Sequence, residues 1–142
     1  IKMVELAVQQ YKKFRVEKIE LELPTPNYTV NTMEALINRD PENKFFLIIG
    51  ADNFENLDSW KNPERILEIS NILVYPRGSS QINGSRLFLT DKRIEFIQAP
   101  LLNDSSSNIR KSIEESNKVN EINDLPKEVK LYIESQELYR SQ

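Results

Sequence analysis

The chain contains no cysteine and no histidine. The first absence excludes disulfides and thiolate metal sites, and it fits an intracellular, cytoplasmic protein. The second removes the usual general base and the commonest metal ligand. Glycine is scarce, at 3 in 142 residues, and tryptophan occurs once. No apolar run approaches the roughly 18 residues that could span a membrane, and no signal-peptide pattern is present. Neither sign of charge dominates. The 19 basic and 22 acidic residues leave a net charge of −3, which makes no electrostatic case for a nucleic-acid or membrane-surface partner.

What is present is an ordinary globular balance, 39% apolar and 29% charged, in a length that suits one domain over residues 1–142. Apolar spacing predicts a helix over residues 1–12. The alternation from Phe14 to Leu23 predicts a strand with one polar face. Pro24 and Pro26 then break the chain. "VNTMEALINR" reads as a short helix. "KFFLIIGA" has no alternation and predicts a strand buried on both faces, typical of a parallel sheet. "NPERILEIS" is a helix with Asn62 as N-cap and Pro63 in the first turn. "NILVYPR" is a second buried strand, residues 77–92 a loop, and "RIEFIQA" a third strand. "SSSNIRKSIEES" and "LPKEVKLYIESQELY" are the last two helices. Strands alternating with helices imply a parallel sheet of α/β class. Ligands of such sheets bind beyond the carboxyl ends of the strands.

Several polar clusters fall near those ends. Asp52 follows Gly50, where it could accept hydrogen bonds from a sugar. With Glu55 it could instead form a capping box. Trp60 could stack on a planar ring, or plug the loop against the core. Arg77 could meet a phosphate, or lie solvated in a turn. In Ser105-Ser106-Ser107-Asn108-Ile109-Arg110, a helix start offers free N–H groups and partial positive charge. Ser106 and Arg110, four apart, share one face. Together they could cradle phosphate, or be a plain serine cap beside a surface arginine. Tyr28 and Thr29 lie in the proline-rich loop, where they could serve a ligand or simply make a turn.

Four segments together resemble bacterial nicotinate mononucleotide adenylyltransferase, of the nucleotidyltransferase superfamily. "PNYTVNTMEAL" is similar to that family's S-Y-T-x-D-T-L segment, and "FFLIIGADNFENLDSW" to its I-I-G-A-D…W segment. "SSSNIR" is similar to S-S-T-x-I-R, and the last helix to L-P-x-x-V-x-x-Y-I…L-Y. The segments come in the family's order and cover nearly all of the chain. The resemblance implies a Rossmann-like doubly wound fold. It also implies transfer of the adenylyl group of ATP, bound with Mg²⁺, to nicotinate mononucleotide. By it, Trp60 would stack on the pyridine ring, while the Thr29 and Lys61 amides, beside Tyr28, receive the nicotinate carboxylate. Gly50 would let the ligand approach and Asp52 would hold ribose hydroxyls. Ser105, Ser106, Ile109 and Arg110 would hold ATP, with Arg77 nearby and Ser106 and Arg110 acting in catalysis.

The chain departs from the family pattern at Asn27, Asn31 and Ser107, and Lys61 replaces a common tyrosine. The family's opening strand and its G-G-T-F-D-P-x-H-x-G-H loop have no counterpart here. The chain therefore reads as the C-terminal portion of a longer protein, with little activity of its own. Two other readings stand beside this one. The chain could belong to an adenylyltransferase for nicotinamide mononucleotide or phosphopantetheine, or it could be a non-catalytic nucleotide-binding domain. The sequence leaves homo-oligomerisation open.

Overall fold

The computed structural model describes residues 1–76, 88–100, 106–116, 119, 122 and 125–140. Two compact units divide the chain. One comprises Ile1–Glu17 and Asp104–Gln142, the other Lys18–Asn103.

The second unit carries the sheet. Strands β1 (Phe46–Gly50), β2 (Asn71–Tyr75) and β3 (Ile94–Phe96) lie in the order β1-β2-β3. Both pairs are parallel. Helix α2 (Thr29–Arg39) precedes β1. Helix α3 (Ala51–Glu55), a 3₁₀ turn (Leu57–Ser59) and helix α4 (Pro63–Ile69) connect β1 to β2. Strand residues alternate between faces, so Ile49, Ile72 and Val74 point one way. There they meet Val30 of α2, Phe54 of α3, Leu57, and Ile66 and Leu67 of α4 in one buried cluster. Phe54 is fully buried and stands edge-on to Phe96, ring centres 5.2 Å apart.

The first unit packs α1 (Lys2–Val8) against α6 (Lys127–Ser135), with α5 (Ser106–Ser116) completing the cluster. Its buried residues are Ile113, Val119, Val129 and Ile133, with Met3, Leu6, Ala7 and Ile109 packed around them.

The parallel α/β architecture meets the sequence expectation, and several details differ from it. The expected strand over Phe14–Leu23 does not form. Only Ile19–Leu21 is regular, as a 3₁₀ turn. Glu20 ties that turn to the start of α2, because its carboxylate accepts from the Thr32 hydroxyl at 2.8 Å and its carbonyl from the Asn27 amide at 3.1 Å. Local hydrogen bonds thus compete successfully with a ladder. β1 is not buried on both faces, since Phe46 is 47% and Ile48 64% exposed. In this unit the helices put their buried side chains on the Ile49 face, and β1 ends the strand order. The first and last helices are shorter than expected. Tyr11 donates to the Val8 carbonyl in a turn that ends α1, and Glu137 and Tyr139 adopt positive φ beyond α6. Residues 77–87, most of the expected loop, lie outside the described residues. Phe88, placed in that loop by sequence, is a core residue.

Before β3, Asp91 accepts from Arg93 at two side-chain contacts, 2.9 and 2.6 Å, and from the Arg93 amide at 2.9 Å. These bonds to the ionised form hold the Asp91 carboxyl at about 2, against an ordinary 3.8. A depressed carboxyl stabilises the fold above its unfolded value, and that stabilisation disappears as pH falls through its folded value. Asp91→Asn should therefore cost about 1 kcal/mol at neutral pH, allowing for solvent screening of this partly exposed pair. It should also flatten the fall in stability between about pH 4 and pH 2, as read by urea denaturation. Phe54→Ala should cost about 3–5 kcal/mol in the same measurement, because a fully buried ring leaves a cavity.

Candidate active site

Helix α2 begins at Thr29 because Tyr28 before it is extended, at φ −97° and ψ 137°. The Tyr28 carbonyl accepts from the Asn31 and Thr32 amides at 2.9 and 3.2 Å, closing the first turn. No side chain caps this end. The Thr29 amide is one of the four N–H groups that a helix leaves without an internal partner, at the positive end of its dipole.

Trp60 ends the 3₁₀ turn, its amide donating to the Leu57 carbonyl at 3.1 Å. Two residues on, Asn62 takes a left-handed conformation, φ 49° and ψ 60°, and Pro63 opens α4. Asparagine tolerates that conformation better than most residues. Asn62 thus holds the expected cap position, but its side chain makes no cap hydrogen bond. The tight reversal places Trp60 and Lys61 opposite the start of α2. Tyr28, Thr29, Trp60 and Lys61 line one cavity of about 220 Å³, with Asn27, Ser59 and Ile66. Trp60 is half-buried and also packs on the core. The stacking and plug readings of this residue are therefore compatible. The Lys61 ammonium lies 4.4 Å from the centre of the Tyr28 ring.

Gly50 ends β1 at φ −71°, a value open to any residue, and caps α3 by position. Asp52 falls inside the first turn of α3, so the expected capping box with Glu55 is not formed. Its side chain is exposed, and its carbonyl accepts from the Asn56 amide at 2.9 Å. Neither Gly50 nor Asp52 lines the Trp60 cavity.

In the other unit, α5 opens at Ser106, and Ser106, Ile109 and Arg110 line one cavity of about 360 Å³. The shared face expected for Ser106 and Arg110 is therefore observed. The cavity's apolar wall includes Ile113, Val129 and Ile133. The exposed Arg110 guanidinium donates to the Ser107 hydroxyl over a long 3.4 Å contact. Arg77 and Ser105 lie outside the described residues. Sequence reading missed Ser59 and Ile66 in the first cavity and Tyr139 in the second. Ser59 could have been inferred from its place beside Trp60. Nothing local signals Tyr139, which reaches its position through a left-handed φ of 63°.

Among the described residues, no three His, Cys, Asp or Glu side chains are grouped so as to hold a metal. No helix among them is long and apolar enough to cross a membrane.

Comparison with known proteins gives this geometry a family. The chain is 38% identical over 138 residues to the probable nicotinate-nucleotide adenylyltransferase of Flavobacterium psychrophilum, covering 97% of this chain and 70% of that protein. It is 39% identical over 140 residues to the similarly named protein of Flavobacterium johnsoniae, covering 99% and 71%. The chain belongs to the nicotinate-nucleotide adenylyltransferase family. A member from Bacillus pumilus is 37% identical over 141 residues. No protein-family model matches the chain. Among solved structures, Plasmodium falciparum nicotinic acid mononucleotide adenylyltransferase complexed with APC superposes with a TM-score of 0.70. That match covers 97% of this chain and 73% of the other at 18% identity. At that identity it establishes the fold alone, which is Rossmann-like α/β as the resemblance implied.

Because Trp60 is the chain's single indole, its emission reports directly on this family's candidate pocket. Acrylamide should quench it to a degree between that of a free indole and that of a core indole. Complete protection would contradict the half-buried placement.

Proposed function

We propose that the chain performs the reaction of its family, joining nicotinate mononucleotide to ATP to give nicotinate adenine dinucleotide and pyrophosphate. The cavity of Tyr28, Thr29, Trp60 and Lys61 carries this reading. It combines an indole for stacking with an uncapped helix start for an anion, and a pyridine carboxylate presents those two chemistries together. The Thr29 and Lys61 amides would receive the carboxylate. Asp52 would accept from ribose hydroxyls beyond Gly50.

The α5 unit takes ATP. Ser106 and the helix N–H groups would bind phosphate oxygens, Ile109 would border the nucleotide, and Arg110 would neutralise charge on the phosphates. Ser105 and Arg77 are assigned to the same nucleotide on the strength of the resemblance. Mg²⁺ enters with the nucleotide as part of the Mg·ATP substrate and offsets phosphate charge. No resident metal site is assigned. Both units are taken as parts of one nucleotidyltransferase domain, and soluble substrates place the reaction in the cytoplasm.

In the reaction a phosphate oxygen of the mononucleotide attacks the α-phosphorus of ATP in line. The bond from that phosphorus to the bridging oxygen breaks, and pyrophosphate leaves with the electron pair. No covalent enzyme intermediate forms, so a chain without cysteine or histidine can contribute by positioning and charge neutralisation.

Nicotinate mononucleotide should quench Trp60 emission saturably, and phosphopantetheine should not. Absence of quenching by nicotinate mononucleotide would overturn the reading. Arg110→Ala should weaken Mg·ATP binding by roughly 10-fold, the effect of losing a charge-assisted hydrogen bond, as measured by calorimetry. An unchanged affinity would remove Arg110 from the ATP site.

A further inference from the structure

Lys61 stands where the family commonly has tyrosine, and its backbone alone was expected to matter. The structure gives its side chain a defined position. The ammonium sits over the Tyr28 ring at 4.4 Å, well within the distance at which a ring face attracts a cation. Among the described residues no carboxylate pairs with it. Among the described residues it is also the one charged side chain lining the 220 Å³ cavity, where its neighbours Asn27, Thr29, Ser59 and Trp60 are neutral. The start of α2, with its uncapped amides, adds partial charge of the same sign at Thr29.

From this we propose that the Lys61 side chain, steadied on Tyr28, sets the preference of the pocket for the acid over the amide mononucleotide. The proposal rests on the reading of the Trp60 cavity as the mononucleotide site. The two ligands share ring, ribose and phosphate, and differ at one ring substituent. One carries a carboxylate and the other a neutral carboxamide. A fixed ammonium at this wall attracts the first and gains little from the second. Its attraction for the common phosphate is the same for both, so it cancels in the ratio of their affinities. Cation–π contact with Tyr28 narrows the lysine's rotamers before the ligand arrives, which lowers the ordering cost on binding.

Trp60 quenching supplies both dissociation constants for the intact chain. Wild-type protein should bind nicotinate mononucleotide more tightly than nicotinamide mononucleotide. Lys61→Met should shrink that ratio by roughly fivefold, the size expected for a partly exposed charge pair, almost entirely by weakening the acid. Lys61→Arg should restore most of the ratio, since it keeps the charge and the ring contact. Added salt should narrow the ratio in the wild type and leave Lys61→Met nearly unmoved. A merely structural lysine would weaken both ligands together, and that result, or an unchanged ratio, would overturn the proposal while leaving the pocket assignment intact. If neither mononucleotide quenches the wild-type protein, the pocket assignment itself fails and the proposal with it.

Discussion

The connection between two parallel strands constrains everything that follows in the second unit. β1 and β2 lie side by side in register, Ile49 opposite Val74. The chain between them must therefore leave the carboxyl end of one strand and return to the amino end of the other. It does so through α3, a 3₁₀ turn and α4, anchored by Phe54, Leu57, Ile66 and Leu67 in one core cluster. Trp60 lies between those anchors. Residues that bury fully flank it on either side, and the indole itself stays half-exposed. The left-handed step at Asn62 finishes the task by turning the chain into α4 directly after Lys61.

A second constraint acts from the other wall of the cavity. Prolines at 24 and 26 keep residues 23–26 out of helix, and Glu20 fastens the 3₁₀ turn onto Asn27 and Thr32. The first turn of α2 is consequently held at its end with its amides uncapped. A pocket built this way needs no catalytic side chain of unusual acidity. It brings together a ring face, a helix end and one ammonium, each set by packing. The α5 end offers comparable chemistry for phosphate, where Ser107 rather than Ser106 touches the arginine that the ligand would use.

The sequence made β1, β2 and the α2, α4 and α5 helices legible, because each has a strong local pattern: an apolar run, or helical spacing. The exposed face of β1 was not legible, since it depends on what packs over Phe46 and Ile48 and not on their own identity. The alternation over Phe14–Leu23 misled for a related reason. A strand requires a partner, and no residue within the segment encodes one. At the candidate site, Trp60, Thr29, Ser106 and Arg110 were readable as types suited to stacking and anion binding. The Lys61–Tyr28 contact was not, because it joins residues far apart in sequence through a fold-level approach of two loops. Tyr139 stayed hidden because its left-handed backbone follows a helix with no glycine to announce the turn.

In the proposed complex a pyridine nucleotide rests against Trp60 within the cavity that Tyr28 and Thr29 complete. Nuclear Overhauser contacts between the indole protons and the pyridine protons of bound nicotinate mononucleotide test it most directly. Contacts from the pyridine ring to Trp60 and to Thr29 are the expected result. Saturable binding without any contact to the indole would contradict it.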